Sequence, residues 1–204
     1  MQNHLVIFAK EPRLGRVKTR LACDIGKVAA WRFYKSMVQN VVRRLDKKGA
    51  WNTWLAISPN KGKRRSFGNP TVKLIDQGQG DLGQRMMRPS QILPPGRFIV
   101  IGTDVAGIRP HHIRKAFKLL GHNDAVFGPA TDGGFWLVGL KRHPITANPY
   151  SKNIRWSHPD TLQDCLDMVK TRGRKVDFID ELSDIDDGKS FSAMKKCLGP
   201  YRTW

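Results

Sequence analysis

The chain has 204 residues, of which 40% are hydrophobic and 26% are charged, so its size and composition predict a single globular domain over residues 1–204. No apolar run approaches the ~20 residues that a membrane-spanning helix needs, and we expect no membrane partner. The first apolar run, residues 5–9, is too short for the core of a secretory signal. The three cysteines form no CxxC pair and are odd in number, so the sequence does not support a disulfide framework or a zinc site. We therefore expect a cytoplasmic protein.

The charge is strongly positive and unevenly distributed. The sequence contains 36 Lys and Arg against 17 Asp and Glu, a net charge of +19. Residues 1–100 hold 20 of the cations and 5 of the acids, whereas residues 151–204 hold 10 and 9. A basic part of the chain beside a part that contains many acids fits a cleft for phosphate and metal as well as a groove for nucleic acid. Both need cations for phosphate oxygens, but only the cleft needs carboxylates for a metal. Composition leaves both interpretations open.

Short apolar runs and amphipathic segments alternate along the chain. Since a buried run of four to eight residues is typical of a strand and a 3.6-residue period of a helix, strands are predicted at 5–9, 53–57, 72–75, 98–102, 125–127, 135–140 and 176–179, helices at 27–48, 81–88, 110–120, 159–172 and 189–198, and a basic loop at 61–66. This alternation predicts a mainly parallel α/β sheet. In such sheets ligands bind beyond the carboxyl ends of the strands.

A basic segment follows the first predicted strand. Residues 10–21, KEPRLGRVKTRL, carry five cations and lead towards a helix. Lysine offers phosphate a point charge, arginine offers a bidentate fork, and Gly15 allows backbone amides to approach anionic oxygens. The segment predicts a phosphate-binding loop, with a solvated basic loop as the alternative. It lacks the GxxxxGK[ST] order and is not a P-loop.

Carboxylates follow two of the predicted strands. Asp104 comes just after the strand at 98–102, where it could hold Mg²⁺ or Mn²⁺ between phosphate oxygens or serve as a turn or N-cap residue. Asp132 occupies a similar place, and the glycines that follow it, Gly133 and Gly134, either make a tight turn or leave room for a ligand.

A further group of acids precedes the last predicted helix. Asp184, Asp186 and Asp187 lie close together there, so one acid, Asp187 first, is expected to cap the helix while another faces the site. His111 and His112 are neighbours in the first turn of a helix and point to different sides of it. We interpret both histidines as surface residues.

Five motifs occur in order along nearly the whole chain: FAKxPxxGxxKTRL at 8–21, LGxRM at 82–86, IGTD at 101–104, GPAxDGG at 128–134 and DID at 184–186. Together they resemble those of the bacterial radical-SAM or selenodomain-associated transferases, the arsenosugar-biosynthesis type included. The resemblance implies a three-layer α/β/α domain of the nucleotide-diphospho-sugar transferase (GT-A) fold with a mostly parallel sheet. More distant relatives would be molybdopterin guanylyltransferase and phospholactate guanylyltransferase. Ala106 replaces a usual proline, and residues 186–191 replace a more usual DTPEDL.

The resemblance also implies roles for individual residues. The residues expected to bind the nucleotide and its phosphates are Lys10, Arg13, Gly15, Arg16, Lys18, Arg20 and Arg85. Asp104 and Asp186 would hold Mg²⁺ or Mn²⁺. The expected catalytic residues are Lys18, Asp104 and Asp132, and Gly133 and Gly134 are expected on the acceptor side. Trp156 is also expected on the acceptor side, because an aromatic residue there could line a pocket, with packing on the core as the alternative.

Three functions follow from these expectations. The favoured one is nucleotidyl transfer from a nucleoside triphosphate to a small phosphorylated acceptor, because a dense cationic loop suits a departing pyrophosphate. Glycosyl transfer from a nucleotide-sugar is the alternative. A nucleic-acid-binding protein that keeps the fold without catalysis is the second alternative, since the net charge is high and residues 61–65 are rich in cations.

Overall fold

The computed structural model describes residues 2–47, 49–59, 72–142 and 147–198. In chain order its elements are β1 (Gln2–Lys10), α1 (Thr19–Ile25), α2 (Lys27–Leu45), β2 (Asn52–Ser58), β3 (Lys73–Asp76), α3 (Leu82–Met87), α4 (Pro89–Ile92), β4 (Gly96–Ile101), α5 (Pro110–Leu119), β5 (Ala125–Pro129), β6 (Phe135–Leu140), α6 (Thr161–Thr171), β7 (Val176–Phe178) and α7 (Gly188–Leu198). The loop predicted at 61–66 lies outside the described residues.

One sheet of seven strands runs through the described part of the chain, in the order β3-β2-β1-β4-β6-β5-β7. Its strands pair in parallel, except that β6 runs antiparallel to both of its neighbours, β4 and β5. Only five residues separate β5 from β6, and so short a connection permits a hairpin but no parallel crossover. The predicted mostly parallel sheet is confirmed, and β6 is its antiparallel exception.

Helices cover both faces of the sheet, which gives three layers. Successive side chains of β1 point to opposite faces, so Ile7 packs in the core with Phe33 of α2, whereas Val6 packs on the other face with Leu166 of α6. Such double-sided burial explains why the β1 sequence is a continuous apolar run. Among the described residues, no helix is long and apolar enough to cross a membrane.

The helix predicted over 81–88 is confirmed as α3, and a separate short helix, α4, follows it. Asp81 caps α3: its side chain accepts a hydrogen bond from the Gln84 backbone N–H at 2.8 Å, and its own N–H donates to the Gln84 side chain at 3.0 Å. Pro89 then opens α4 at its first position, where a missing N–H costs nothing. The consequence is that α3 is a short helix of six residues beside the ends of β1 and β2.

Candidate functional site

A cleft of about 790 Å³ opens at the carboxyl ends of β1 and β4. Strand β1 delivers Lys10 to its wall, and the turn after β4 delivers Thr103 and Asp104. Among the charged residues of the lining are the cations Lys10, Lys18, Arg20 and Arg85 and the acids Asp104, Asp132, Asp184 and Asp186. Cations and carboxylates of the site therefore face one another across a single opening.

Lys18 bridges two of these carboxylates. Its Nζ lies 2.6 Å from Oδ1 of Asp104 and 2.7 Å from Oδ1 of Asp186, and its side chain is only 4% exposed. The Lys18 backbone is left-handed, with φ 48° and ψ 50°, at the residue that precedes α1. This conformation is costly for a residue with a Cβ. It is retained here at a position where the ammonium group reaches both acids.

The charges in this bridge reinforce one another. Burial disfavours the charged ammonium, but the two carboxylates outweigh it and raise the pKa of Lys18 above its usual value. Burial likewise opposes the ionised form of Asp186, and the hydrogen bond and charge of Lys18 nevertheless hold the pKa of Asp186 below its usual range. Lys18 and Asp186 are therefore both charged at neutral pH.

Asp184 joins the same cluster, and it was not among the predicted site residues. Burial, the charge and hydrogen bond of Asp186, and the charge of Asp132 raise the pKa of Asp184 to about 6. Like charges held close together disfavour simultaneous ionisation. The only sequence signal was its place in the DID motif, and spacing along the chain could not show that it would face Asp132.

A backbone contact holds the C-terminal acids at the cleft. The backbone N–H of Ile185 donates to the carbonyl of Asp104 at 3.0 Å, which aligns the DID segment with the end of β4. Asp187 then caps α7, since its Oδ1 accepts from the Ser190 N–H at 2.8 Å. The predicted cap is confirmed. Although its flanking residues depart from the family pattern, Asp186 lies beside Asp104.

Tyr34, another residue that the sequence did not single out, ties the two walls of the cleft together. Its phenol donates to the Lys10 carbonyl at 3.1 Å and accepts from the Lys10 N–H at 2.8 Å, and it also hydrogen-bonds to the side chain of Thr103. Burial raises the pKa of Tyr34 to about 12. A neutral phenol thus joins the end of β1 to the residue that precedes Asp104.

The structure separates the predicted phosphate-binding residues into two sets. Lys10, Lys18, Arg20 and Arg85 line the cleft. Arg13, Gly15 and Arg16 lie outside that lining, on an exposed turn. There Arg13 donates to Glu11 at 2.7 Å. Gly15 adopts a φ of +71°, so the conformation of the turn is sufficient to explain why this residue is a glycine. The phosphate-binding roles of both sets stay predictions.

Asp132, Gly134 and Trp156 also line the cleft, and the roles predicted for them stay predictions. Oδ1 of Asp132 accepts from the Gly134 N–H at 2.9 Å, which closes a tight turn. Gly133 has a φ of +85°, and a Cβ added there would lie 1.9 Å from the Pro159 carbonyl oxygen. Gly133 is therefore required because the turn lies close to the backbone of Pro159.

Comparisons with known proteins agree with this architecture. A family model described as "Uncharacterized protein conserved in bacteria (DUF2064)" matches residues 41–158, which is more than half of the chain. The chain belongs to the DUF2064 family. No curated protein matches it.

Three solved structures resemble the DUF2064 chain over nearly its full length. The first is a protein from Desulfovibrio desulfuricans G20, provisionally assigned as a nucleotide-diphospho-sugar transferase (24% identity, 98% of this chain and 90% of that one, TM-score 0.89). The second is a nucleotidyl transferase from Methanothermobacter thermautotrophicus (12%, 96% and 97%, 0.63). The third is 4-diphosphocytidyl-2C-methyl-D-erythritol synthase from Anaerococcus prevotii (12%, 97% and 98%, 0.62). These likenesses show the nucleotide-diphospho-sugar transferase fold, as expected from the sequence.

The carboxylates at Lys18 fit a divalent cation. Oxygens of Asp104 and Asp186 contact one and the same nitrogen, so the two side chains converge on a single positive charge. Carboxylate oxygens are the ligands that Mg²⁺ and Mn²⁺ prefer. Both acids are about half exposed, which leaves room for further ligands from water or phosphate.

A second group of potential ligands in the DUF2064 chain comprises His111, His112 and Asp180. Here the prediction that both histidines lie on the surface is wrong for His112, which is 6% exposed and packs against Trp136. Its Nδ1 accepts the Arg109 backbone N–H at 3.1 Å, so the neutral ring carries its proton on Nε2, the atom facing Asp180. Lys115 also donates to Asp180 at 2.9 Å. With its proton on Nε2 and its Nδ1 already bonded to the backbone, His112 offers no free nitrogen lone pair to a metal ion.

Proposed function

We propose that the chain is a metal-dependent transferase that uses a nucleotide-phosphate donor. The reaction it supports best is nucleotidyl transfer from a nucleoside triphosphate to a small phosphorylated acceptor. The observation that carries this proposal is the bridge from Lys18 to Asp104 and Asp186 inside a cleft that also displays Lys10, Arg20 and Arg85. Convergent carboxylates suit a cation, and the surrounding cations suit phosphate.

The chemistry needs little from the protein besides placement and charge. An ionised phosphate oxygen of the acceptor attacks the α-phosphorus, and the bond from that phosphorus to the α,β-bridging oxygen breaks, which releases pyrophosphate. No base has to remove a proton from such a nucleophile. Lys10, Arg20 and Arg85 would stabilise the charge that accumulates on the departing pyrophosphate.

Asp104 and Asp186 would hold Mg²⁺ or Mn²⁺. When bound, such an ion supplies charge neutralisation at the phosphate oxygens. Lys18, freed from part of its pairing, would then be available to a phosphate. Asp132, Gly134 and Trp156, on another part of the cleft wall, would contact the acceptor, with Gly133 shaping the turn behind them.

Glycosyl transfer is the second candidate, and the family resemblance together with the Desulfovibrio structure favours it. The same cations and carboxylates would then face the diphosphate of a nucleotide-sugar. The two reactions release different products, because nucleotidyl transfer yields pyrophosphate and glycosyl transfer from such a donor yields a nucleoside diphosphate.

The deciding experiment measures thermal unfolding against nucleoside triphosphates and nucleotide-sugars, with Mg²⁺, with Mn²⁺ and with EDTA. A ligand at a hundred times its Kd adds about 2.7 kcal/mol of stability. Metal-dependent stabilisation by a triphosphate supports nucleotidyl transfer, and stabilisation by nucleotide-sugars alone supports glycosyl transfer. If no nucleotide stabilises the protein and a nucleic acid binds with a steep salt dependence, the proposal fails in favour of the non-catalytic alternative.

We infer further that residues 1–204 work as one cytoplasmic domain.

The narrower relation to radical-SAM or selenodomain-associated transferases rests on the five motifs. The first of these motifs ends in KTRL and contains Lys18. This narrower relation is tested by identifying the acceptor. A phosphorylated sugar or a related small molecule should be consumed in the same molar amount as the nucleotide.

A further inference from the structure

Gln77 is a buried side chain with an unusually complete set of contacts. It follows β3 and is 5% exposed. Its Nε2 donates to the carbonyls of Ala9 at 3.1 Å and Ala56 at 2.9 Å, near the ends of β1 and β2. Both hydrogens of the Gln77 amide are therefore donated to strand carbonyls, and the amide oxygen points away from those strands.

That oxygen accepts a hydrogen bond from Nη1 of Arg85 at 3.2 Å. Arg85 lies on α3 and lines the cleft. Its Nε also contacts the carbonyl of Asp81 at 3.4 Å. The guanidinium plane is thus held at two of its nitrogens, and Nη2 is not used in either contact.

The connection between the sheet and α3, the helix that carries Arg85, does not by itself hold the Arg85 side chain in one orientation. Residues 77–81 join α3 to the sheet and include Gly78 and Gly80, both at positive φ, where glycine imposes little restriction on the backbone. An arginine side chain has many rotamers, and fixing one of them costs entropy. The buried Gln77 amide, which is bonded to two strands, fixes the Arg85 rotamer before any ligand binds.

We propose that Gln77 is a positioning residue that orients the Arg85 guanidinium towards the phosphates of the nucleotide, an inference that rests on the proposed function. Gln77 does not touch the ligand and acts through Arg85. Its length matters, because the side chain has to reach two carbonyls on one side and the guanidinium on the other. Asparagine keeps the amide but is one methylene shorter, so it loses the contact with Arg85 or those with the strands.

The first test needs no ligand. Heteronuclear relaxation of the Arg85 Nε–H group should report a rigid side chain in the wild type and a mobile one in Gln77→Asn, while the exposed Arg172 side chain, which is distant in sequence, should not change. Equal rigidity of Arg85 in both proteins would overturn the inference, whether or not the protein binds nucleotides.

The second test is a double-mutant cycle on nucleotide affinity with Gln77→Asn, Arg85→Met and the combined variant. We expect each single change to weaken binding about tenfold and the combined variant to bind within about twofold of Arg85→Met, because residues that act as a unit are not additive. A hundredfold loss in the combined variant would show that Gln77 acts without Arg85 and would contradict the inference.

Two controls separate the possible failures. A purely structural role for Gln77 would lower Tm equally with and without Arg85 and would weaken nucleotide binding in both backgrounds, which contradicts positioning. If the wild type binds neither triphosphates nor nucleotide-sugars, the proposed function fails, and the relaxation experiment alone then decides whether Gln77 orients Arg85. If Gln77→Asn does not fold, Gln77→Met takes its place in both tests.

Discussion

Lys18 Nζ lies 2.6 Å from Oδ1 of Asp104, although 86 positions separate the two residues in the sequence (104 − 18). The same nitrogen also contacts Asp186, so one ammonium group reduces the repulsion between two acids. A divalent cation and Lys18 would compete for the same oxygens. Metal binding and the release of Lys18 towards phosphate are therefore coupled events in the proposed function.

This competition predicts the behaviour of Lys18→Met. Without the ammonium group, two half-exposed carboxylates lose the cation that they share, and we expect a loss of about 1–2 kcal/mol, or roughly 2–8 °C in Tm, in EDTA. Mn²⁺ should restore more stability to this variant than it adds to the wild type. Scanning fluorimetry with and without Mn²⁺ measures both effects.

The matched control is Arg174→Met, which removes a cation paired with Asp124 at 3.7 Å, outside the cleft and outside the histidine group. This long, partly exposed pair is expected to contribute little to stability, and Mn²⁺ should affect the variant as it affects the wild type. Equal Mn²⁺ responses in Lys18→Met and Arg174→Met would argue against metal binding at Asp104 and Asp186.

A second prediction concerns which acids hold the metal. Asp104→Asn should abolish the part of nucleotide stabilisation that requires Mg²⁺, because a neutral amide binds a hard cation more weakly than a carboxylate. His111→Ala, in the other group of potential ligands, and Asp167→Asn, on α6, should retain it. The measurement is the difference in Tm between nucleotide with Mg²⁺ and nucleotide with EDTA, and a loss in His111→Ala would move the metal to the histidine group.

The elements of the fold were predictable because their cause is local. The apolar runs of β1 and β4 mark strands buried on both faces, and Asp104 directly after β4 follows from the position of that run. The Lys18 bridge, Gln77 and Asp184 were not predictable, since each depends on contacts between distant segments. His112 was misjudged because its ring turns back to accept the Arg109 N–H, which is a capping interaction that helical spacing does not reveal.

A third prediction follows from the pKa of Asp184, raised to about 6, against about 4 in an unfolded chain. Between these values the folded protein holds a proton that the unfolded chain has released, so Asp184 makes the free energy of unfolding fall as pH rises from about 4 to about 6. Asp184→Asn keeps a donor for Asp186 and cannot ionise. It should exceed the wild type in Tm at pH 7.5, with the gain vanishing near pH 4.

Asp187 provides the opposite case. The backbone and side-chain hydrogen bonds from Ser190 lower the pKa of Asp187, so its ionised form favours folding, and this contribution is present above about pH 4 and lost as pH falls further. Asp187→Asn should therefore gain no stability at pH 7.5. A rise in Tm common to both variants would mean that general charge reduction, and not the Asp184 environment, is the cause.

The last prediction tests why Gly133 is a glycine. Gly133→Ala and Gly173→Ala both place a Cβ at positive φ, but only at Gly133 would that Cβ meet backbone, 1.9 Å from the Pro159 carbonyl, whereas nothing lies within 4 Å at Gly173. Gly173→Ala should cost about 1 kcal/mol for its backbone conformation alone. Gly133→Ala should cost at least about twice as much in urea unfolding, because the turn beside Asp132 must move. Equal losses would show that the Pro159 segment yields easily and that the turn is not held by this contact.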